Sequence, residues 1–280
     1  MITALDHLVV LLGDIEAGAK TYEMLLGRAP SWRTRSDGLE TVLFTLDNMT
    51  LELMAPVGDA PAAERIREAM KISGEGLASI CFRVADIAKA HRRLDRVALK
   101  PEPIVEAESS DLAAGDSLRW KRTRVPTELA RGVRMFFLEL AGERPRSVAT
   151  SAAPVVGLDH IVVSTGDTER AAALYGARLG LDMALDRSHE DWGHLMFFRC
   201  GDLIVEVVRR RDAGADQTHD QLWGLSWRVA DIDATRERLV AAGIDVSEVR
   251  AGRKPGTRVM SVRDGTCGIA TLLLERTARA

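Results

Sequence analysis

The stretch ALDHLVVLLGDIEAGAKTYEMLLG, from Ala4 to Gly27, decides the fold because it occurs twice in the chain. Its second copy, GLDHIVVSTGDTERAAALYGARLG, runs from Gly157 to Gly180, and the shared residues keep one constant spacing, as His7 and His160 illustrate. A shorter match follows at nearly the same spacing, in which MTLELMAP around Glu52 returns as LIVEVVRR around Glu206. The chain is therefore predicted to contain two copies of one structural half.

A fainter repeat lies inside each half. The segments GLASICFRVADI from Gly76 and GLSWRVADI from Gly224 share the string RVADI, so each half holds two related units. Every unit shows an apolar strand, an aspartate that can cap a helix, an amphipathic helix and two or three short strands. The four capping aspartates are Asp14, Asp86, Asp167 and Asp231. The pattern predicts an α+β protein with four βαβββ units.

Composition limits the classes of function. The 280 residues are 46% hydrophobic and 28% charged, which is typical of a globular protein and excludes disorder, and no apolar run is long enough to span a membrane. A net charge of −3, from 38 basic and 41 acidic residues, gives no drive toward nucleic acid or an anionic membrane. We expect the protein to bind a small-molecule substrate, and a homodimer is compatible with the sequence.

The three cysteines, Cys81, Cys200 and Cys267, match no zinc or redox spacing, so we expect no disulfides and no sulfur in any metal site. The first strand follows no basic leader, which predicts a cytoplasmic protein rather than a secreted one.

The last strand of each unit carries a glutamate among apolar residues: Glu52, Glu139, Glu206 and Glu275. Side chains alternate along a strand, so Glu52 points away from the oily face that its neighbours offer to a helix. Such glutamates are expected to line a concave cavity near His7 and His160. A histidine on an apolar strand is often only a hydrogen-bonded core residue, and Glu139 and Glu275 can equally be read as strand-end carboxylates.

These features resemble the vicinal oxygen chelate superfamily, the group of glyoxalase I, bleomycin-resistance proteins, methylmalonyl-CoA epimerase and extradiol dioxygenases. The resemblance rests on LDHLVV and LDHIVV, on the capped helices ending in YEMLLG and YGARLG, and on the strand glutamates, and it covers nearly the whole chain. It implies two tandem glyoxalase-like domains, residues 1–145 and 152–280, each an open, curled mixed sheet. The segment between them, AGERPRSVATSAAPVVG, is predicted to be an exposed linker.

The resemblance also implies a divalent metal, Zn, Fe, Mn, Ni or Mg, held by residues of the first and last strands. The implied ligands are His7, Glu52, Glu139, His160, Glu206 and Glu275. Pairing of adjacent units would give one histidine and two glutamates per half, whereas pairing of units one and three would join His7, Glu52, His160 and Glu206 as in glyoxalase I. The positions equivalent to His7 in units two and four are Ser79 and Gly224, which weakens an extradiol dioxygenase reading.

The function that the resemblance implies is that of a metal-dependent lyase or isomerase. Its substrate would be a small carbonyl or hydroxy-carbonyl compound, and Glu52 and Glu206 would be the catalytic residues that take a proton next to the carbonyl. The alternatives are a metal-free, ligand-sequestering protein of the bleomycin-resistance type and a divergent ring-cleaving dioxygenase. Because the two halves differ around their glutamates, we expect at most one to be catalytically competent.

Two further segments are candidates for substrate binding. LRWKRTR, around Trp120, could clamp a carboxylate or a coenzyme A phosphate, although a solvated edge strand is the simpler interpretation. SHEDWGH places His189 and His194 near a hairpin, where histidines usually bind nothing.

Overall fold

The computed structural model describes residues 1–210 and 217–276. The first half contains eight strands and three helices: β1 (Ile2–Leu11), α1 (Ile15–Leu26), β2 (Trp32–Ser36), β3 (Leu39–Thr45), β4 (Thr50–Pro56), α2 (Pro61–Ser73), β5 (Gly76–Val84), α3 (Ile87–Arg96), β6 (Val105–Ser110), β7 (Ser117–Arg124) and β8 (Arg134–Ala141). The second half repeats this order without a described counterpart of α2: β9 (Val155–Ser164), α4 (Thr168–Ala172), β10 (Asp182–His189), β11 (Gly193–Cys200), β12 (Leu203–Arg209), β13 (Gln221–Val229), α5 (Ile232–Ala241), β14 (Arg250–Ala251), β15 (Thr257–Val262) and β16 (Ala270–Arg276).

Each half forms its own eight-stranded mixed sheet. The strand order is β2-β3-β4-β1-β5-β8-β7-β6 in the first sheet and β10-β11-β12-β9-β13-β16-β15-β14 in the second. The first strands of two adjacent units pair antiparallel at the centre, and each pairs in parallel with the last strand of its own unit. The predicted α+β fold of paired βαβββ units is confirmed. Units one and two share one sheet, so the ligand set built from units one and three does not form within a sheet.

The helix starts follow the sequence signals. Asp14 caps α1 by accepting hydrogen bonds from the backbone N–H groups of Glu16 and Ala17, both at 3.0 Å, and Asp86, Asp167 and Asp231 cap the corresponding helices in the same way. Helix α4 differs from α1, because it continues as a π-helical segment, Ala173–Arg178, with a bond from Leu179 N to Leu174 O.

Alternation along the strands separates an apolar face from a cavity face. Leu51 and Leu53 of β4 are fully buried on the helix side, while Glu52 between them keeps partial exposure on the other side. The largest apolar cluster draws side chains from both halves, among them Leu8 and Leu158 of the central strands. The two helix-covered faces therefore share one core.

The edges of the first sheet meet, which makes that sheet nearly a barrel. Trp32 Nε1 on β2 donates to Ser109 Oγ on β6 at 3.1 Å, and Arg33 N donates to Asp111 Oδ1 at 2.9 Å. On the cavity side Ile66 of α2 packs against Val9, so this helix covers part of the concave face.

The segment between the halves is mostly exposed but is anchored to the first half. Ser147 N donates to Thr45 O and Thr150 N donates to Gly27 O, both at 2.9 Å. Arginines add direct contacts between the halves. Arg238 on α5 donates to the carbonyl of Leu25 at 3.0 Å, and Arg178 donates to that of Val97 at 2.9 Å.

Within the described part of the chain, no helix combines the length and the apolar character that a membrane crossing requires.

Candidate active site

A β-bulge in β1 prepares the site of the first half. Leu5 pairs with Phe82 and His7 with Cys81, which leaves Asp6 without a cross-strand partner. The Asp6 carboxylate folds back onto the next residue and lies 2.7 Å from His7 Nδ1. Because an ionised carboxylate can only accept, Nδ1 carries the hydrogen and Nε2 faces away from Asp6.

Asp6 is a buried carboxylate with three cationic neighbours. Arg83 Nε lies 2.8 Å from Oδ2, and the Arg144 guanidinium lies 2.7 Å from Oδ1. Burial opposes ionisation, but the hydrogen bond and charge of His7, with the charges of Arg144 and Arg83, hold the pKa of Asp6 well below its usual range. Asp6 therefore stays ionised and fixes the orientation of the imidazole.

His7 meets Glu52 at the wall of a large cavity. His7 Nε2 lies 3.4 Å from Glu52 Oε2, and both residues line a cavity of about 830 Å³ on the concave face of the first sheet. Burial disfavours the charged imidazole, yet the neighbouring Cys81, Asp6 and Glu52 together raise the pKa of His7. The structure agrees with the prediction that His7 and Glu52 lie close together and face the concave cavity.

Cys81 lies beside this pair. It is opposite His7 in the strand ladder, lines the same cavity, and is 1% exposed. The potential ligand atoms of Asp6, His7 and Cys81 all lie within 4.8 Å of one another.

The second half repeats the arrangement. His160 Nε2 lies 3.4 Å from Glu206 Oε2, and His160 Nδ1 lies 3.7 Å from Asp159 Oδ2. Burial opposes ionisation of Asp159, but its interactions with His160 and Arg276 lower its pKa to about 2. Burial raises the pKa of Glu206, against the opposing charges of His160 and Arg253.

The wall around the second pair is apolar. Val162, Leu195 and Val208 form a buried cluster on this face, and Trp192 and Phe197 pack against it. Phe197 is the direct cross-strand neighbour of Glu206. Glu206 therefore has a larger apolar neighbour than Glu52, whose cross-strand neighbour is Leu43.

Stacked rings lie at the hairpin between β10 and β11. The imidazole of His189 stacks on Trp192 with ring centroids 3.7 Å apart, and the Arg253 guanidinium lies 4.0 Å from the Trp192 ring centroid. His194 Nε2 instead lies 2.6 Å from Asp186 Oδ1. The two histidines of the SHEDWGH segment thus pair with nearby side chains.

The structure does not bring Glu139 to the cavity. Val9, two residues after His7, pairs with Glu52, and Cys81, two residues after Ser79, pairs with Phe136. Phe136 is therefore the positional equivalent of Glu52 in unit two. Glu139 is three residues further along, which turns it to the opposite face. Its Oε2 accepts a hydrogen bond of 2.6 Å from Ile87 N at the start of α3.

Glu275 is displaced in the same way. Val162, two residues after His160, pairs with Glu206, and Ser226, two residues after Gly224, pairs with Leu272. Leu272 is therefore the positional equivalent of Glu206 in unit four. Glu275 Oε2 accepts a bond of 3.3 Å from Ile232 N at the start of α5 and contacts Arg258 at 3.4 Å. Two of the six predicted metal ligands are thus helix caps, and each half brings together one histidine and one glutamate.

Matches to protein families agree with this geometry. Residues 5–157 match the family described as Glyoxalase-like domain, and residues 159–260 match the Glyoxalase/Bleomycin resistance protein/Dioxygenase superfamily. The chain belongs to this superfamily.

Similar proteins in the superfamily include several enzymes. Ethylmalonyl-CoA/methylmalonyl-CoA epimerase from Cereibacter sphaeroides is 33% identical over 97 residues, which cover 34% of this chain and 70% of the epimerase. A mutant of 4-hydroxymandelate synthase from Streptomyces coelicolor superposes with a TM-score of 0.72 at 14% identity, covering 100% of this chain and 95% of that one. A catechol 2,3-dioxygenase superposes with a TM-score of 0.63 at 16% identity, covering 100% and 90%. The two superpositions concern the fold.

The donor atoms of the first half fit a divalent metal, the cofactor typical of the superfamily. A metal-bound histidine usually donates its second ring nitrogen to a carboxylate, as His7 Nδ1 does to Asp6, while Nε2 and Glu52 Oε2 converge on the cavity. At the matching positions in unit two, Ser79 and Phe136 supply no such ligand. His7 and Glu52 would therefore hold the ion with open positions for water or substrate oxygens.

Sequence reasoning missed two contributors to this site. Asp6 precedes His7 as Asp159 precedes His160, so the repeat itself carried the signal for this carboxylate. Arg144 has no such signal, because it follows β8 and reaches Asp6 from a segment distant in sequence.

Proposed function

We propose that the first half of the chain is a metal-dependent enzyme, a lyase or isomerase that acts on a small carbonyl or hydroxy-carbonyl substrate. His7 and Glu52 would hold one Zn, Fe, Mn, Ni or Mg ion. The observation that carries the proposal is the convergence of His7 Nε2 and Glu52 Oε2 at 3.4 Å on a cavity of about 830 Å³, with Nδ1 anchored by a buried carboxylate. The similarity to an epimerase supports the isomerase class.

The residues of the cavity divide the chemistry among them. A divalent metal held by His7 and Glu52 would supply Lewis acidity to the substrate oxygen. Asp6 holds the imidazole of His7 so that Nε2 faces the cavity. The Glu52 carboxylate accepts a proton from the carbon next to the carbonyl and returns it during isomerisation. The nearly closed sheet and α2 limit the access of water to this carboxylate.

The second half keeps the same ligands but serves as scaffold. Its glutamate faces Phe197, and Trp192 with its stacked partners lies over that part of the cup. We propose that Glu206 is not used in catalysis and that one half is competent.

One observation favours a metal-free binding protein of the bleomycin-resistance type as second candidate. Unit two offers Ser79 and Phe136 where units one and three have a histidine and a glutamate, and His7 already has Glu52 as a partner. A ring-cleaving dioxygenase is less well supported, since neither Ser79 nor Gly224 supplies a second imidazole.

Metal analysis of protein purified without added metal tests the proposal. We expect about one ion per chain, lost in His7→Ala and retained in His160→Ala. Turnover of a library of 2-oxo and hydroxy-carbonyl compounds should fall at least about 100-fold in Glu52→Gln and not in Glu206→Gln. Equal loss of metal from both histidine variants would contradict the single site, and metal-free wild-type protein would support the binding alternative.

A further inference from the structure

Arg134 is a cavity residue that the proposed metal site does not use. It lies on β8 beside Ser79, and it lines the cavity of the first half. The strand register places Glu52, Val9, Ser79 and Arg134 in one row across four adjacent strands. Because the sheet curls almost into a barrel, the two ends of this row face the same cavity from different walls.

Arg134 lacks the carboxylate partner that Arg144 and Arg124 have. Arg144 contacts Asp6 at 2.7 Å, and Arg124 contacts Glu102 at 2.7 Å. Among residues 1–210 and 217–276, no carboxylate lies within ion-pair distance of Arg134. Burial, together with the charge of Arg124, lowers the pKa of Arg134. A partly buried cation without a counter-charge costs stability, which a bound anion would recover.

The cavity that Arg134 lines has apolar side chains as well as charged ones. Trp32, Trp120, Phe136 and Leu138 line the cavity, and the Arg122 guanidinium lies 5.6 Å from the Phe136 ring centroid. A volume of about 830 Å³ accommodates a ligand of drug-like size rather than a small ion.

The corresponding position in the second half is Ala270, which pairs with Gly224 as Arg134 pairs with Ser79. The cation is therefore present in the first half and absent from the matching position of the second.

We propose that Arg134 binds the carboxylate of the substrate, and that this substrate is an organic acid with an aromatic or branched apolar body. The proposal rests on the proposed function of the same cavity, because it names the class of substrate that would reach His7 and Glu52. One guanidinium forms one two-pronged contact, which matches the single charge of a carboxylate.

Paired ligands test the anion site. The probes are 3-phenylpropionate, its methyl ester and 2-phenylethyl phosphate, which share a phenyl ring and a short chain. Calorimetric titration should give a Kd for the acid at least about tenfold lower than for the ester, as expected of a charge-assisted two-pronged contact. Arg134→Met should remove this preference, and Arg134→Lys should keep part of it.

Arg119→Met is the matched control, because Arg119 lies on the outer face of β7, pairs with Glu108 and is largely exposed. It should leave the preference for the acid unchanged. Ligand-free Arg134→Met should unfold at the same temperature as wild type or higher, whereas a merely structural arginine would lower this temperature. Equal affinity for acid and ester, no binding of the acid, stronger binding of the phosphate, or a preference that survives Arg134→Met would each overturn the proposal.

Repeating the titration after chelator treatment separates the two proposals. A preference for the acid that persists in metal-free protein supports Arg134 even where metal analysis contradicts the enzyme. Its loss in chelator-treated protein would show that the acid binds a metal rather than Arg134, and would overturn the anion site alone.

Discussion

Trp32 on β2 donates its indole N–H to Ser109 Oγ on β6 at 3.1 Å, so the two edge strands of the first sheet are joined side chain to side chain. Edge strands usually present unpaired backbone groups. Here the Trp32 ring is only 3% exposed and packs with Leu43 and Leu118 on the cavity side. The contact between β2 and β6 therefore closes the sheet, and Trp32 supplies part of one wall of the cavity.

Trp32→Phe keeps most of the buried ring and removes the donor. We expect a loss of about 1 kcal/mol in the free energy of unfolding, the usual net value of one hydrogen bond. Urea unfolding of Trp32→Phe, Ser109→Ala and the double variant measures the coupling directly. Additive losses from the two single variants would show that the bond contributes nothing.

Glu139→Ala should destabilise the protein without changing its metal content. The carboxylate accepts a bond of 2.6 Å from Ile87 N at the start of α3, and loss of such a cap costs about 1 kcal/mol. Glu275→Ala, whose bond to Ile232 N is 3.3 Å, should cost less. Thermal unfolding and metal analysis check both effects, and loss of metal from Glu139→Ala would return this residue to the ligand set.

Arg131→Met should expose the cost of an isolated buried charge between the halves. Asp220 has a fully buried side chain whose two oxygens each lie 3.1 Å from the Arg131 guanidinium. Burial raises the pKa of Asp220, although Arg131 and Thr165 oppose the shift. Without Arg131, we expect a loss of about 3 kcal/mol in the free energy of unfolding at neutral pH.

The loss should shrink in acid. A carboxylate whose folded-state pKa lies above its unfolded value binds more protons when folded, so falling pH through that pKa favours the folded state. Arg131→Met should raise the pKa of Asp220 further, so its deficit relative to wild type should be smaller at pH 4 than at pH 8. A deficit that stays constant with pH would indicate lost packing instead.

Cobalt-loaded protein should show no sulfur-to-metal charge-transfer absorption. Cys81 is 1% exposed, whereas His7 and Glu52 reach the open cavity, so we expect nitrogen and oxygen ligands only. Cys81→Ser should keep the cobalt spectrum of the wild type. A near-ultraviolet band that disappears in Cys81→Ser would place the thiolate on the metal.

The repeat made most of the fold predictable, because copies at constant spacing must adopt one structure. It also located His7 with Glu52 and His160 with Glu206, since a period of two fixes which face each glutamate occupies. It misplaced Glu139, because FLEL resembles TLEL in letters while the parallel register, set by backbone pairing across the sheet, differs by three residues. The closure by Trp32 and Ser109 joins strands that are distant in sequence, and no local pattern encodes it.

The arginines that cross between the halves give the second half a lasting role. Arg238 and Arg178 donate to carbonyls at the ends of α1 and α3, so both of these helices of the first half finish on side chains from the second. The chain is thus arranged like two subunits of a dimer fused into one polypeptide. If the second half is not catalytic, as we propose, it still holds the ends of α1 and α3, so we expect substitutions around Glu206 to be tolerated better than substitutions of Arg238 or Arg178.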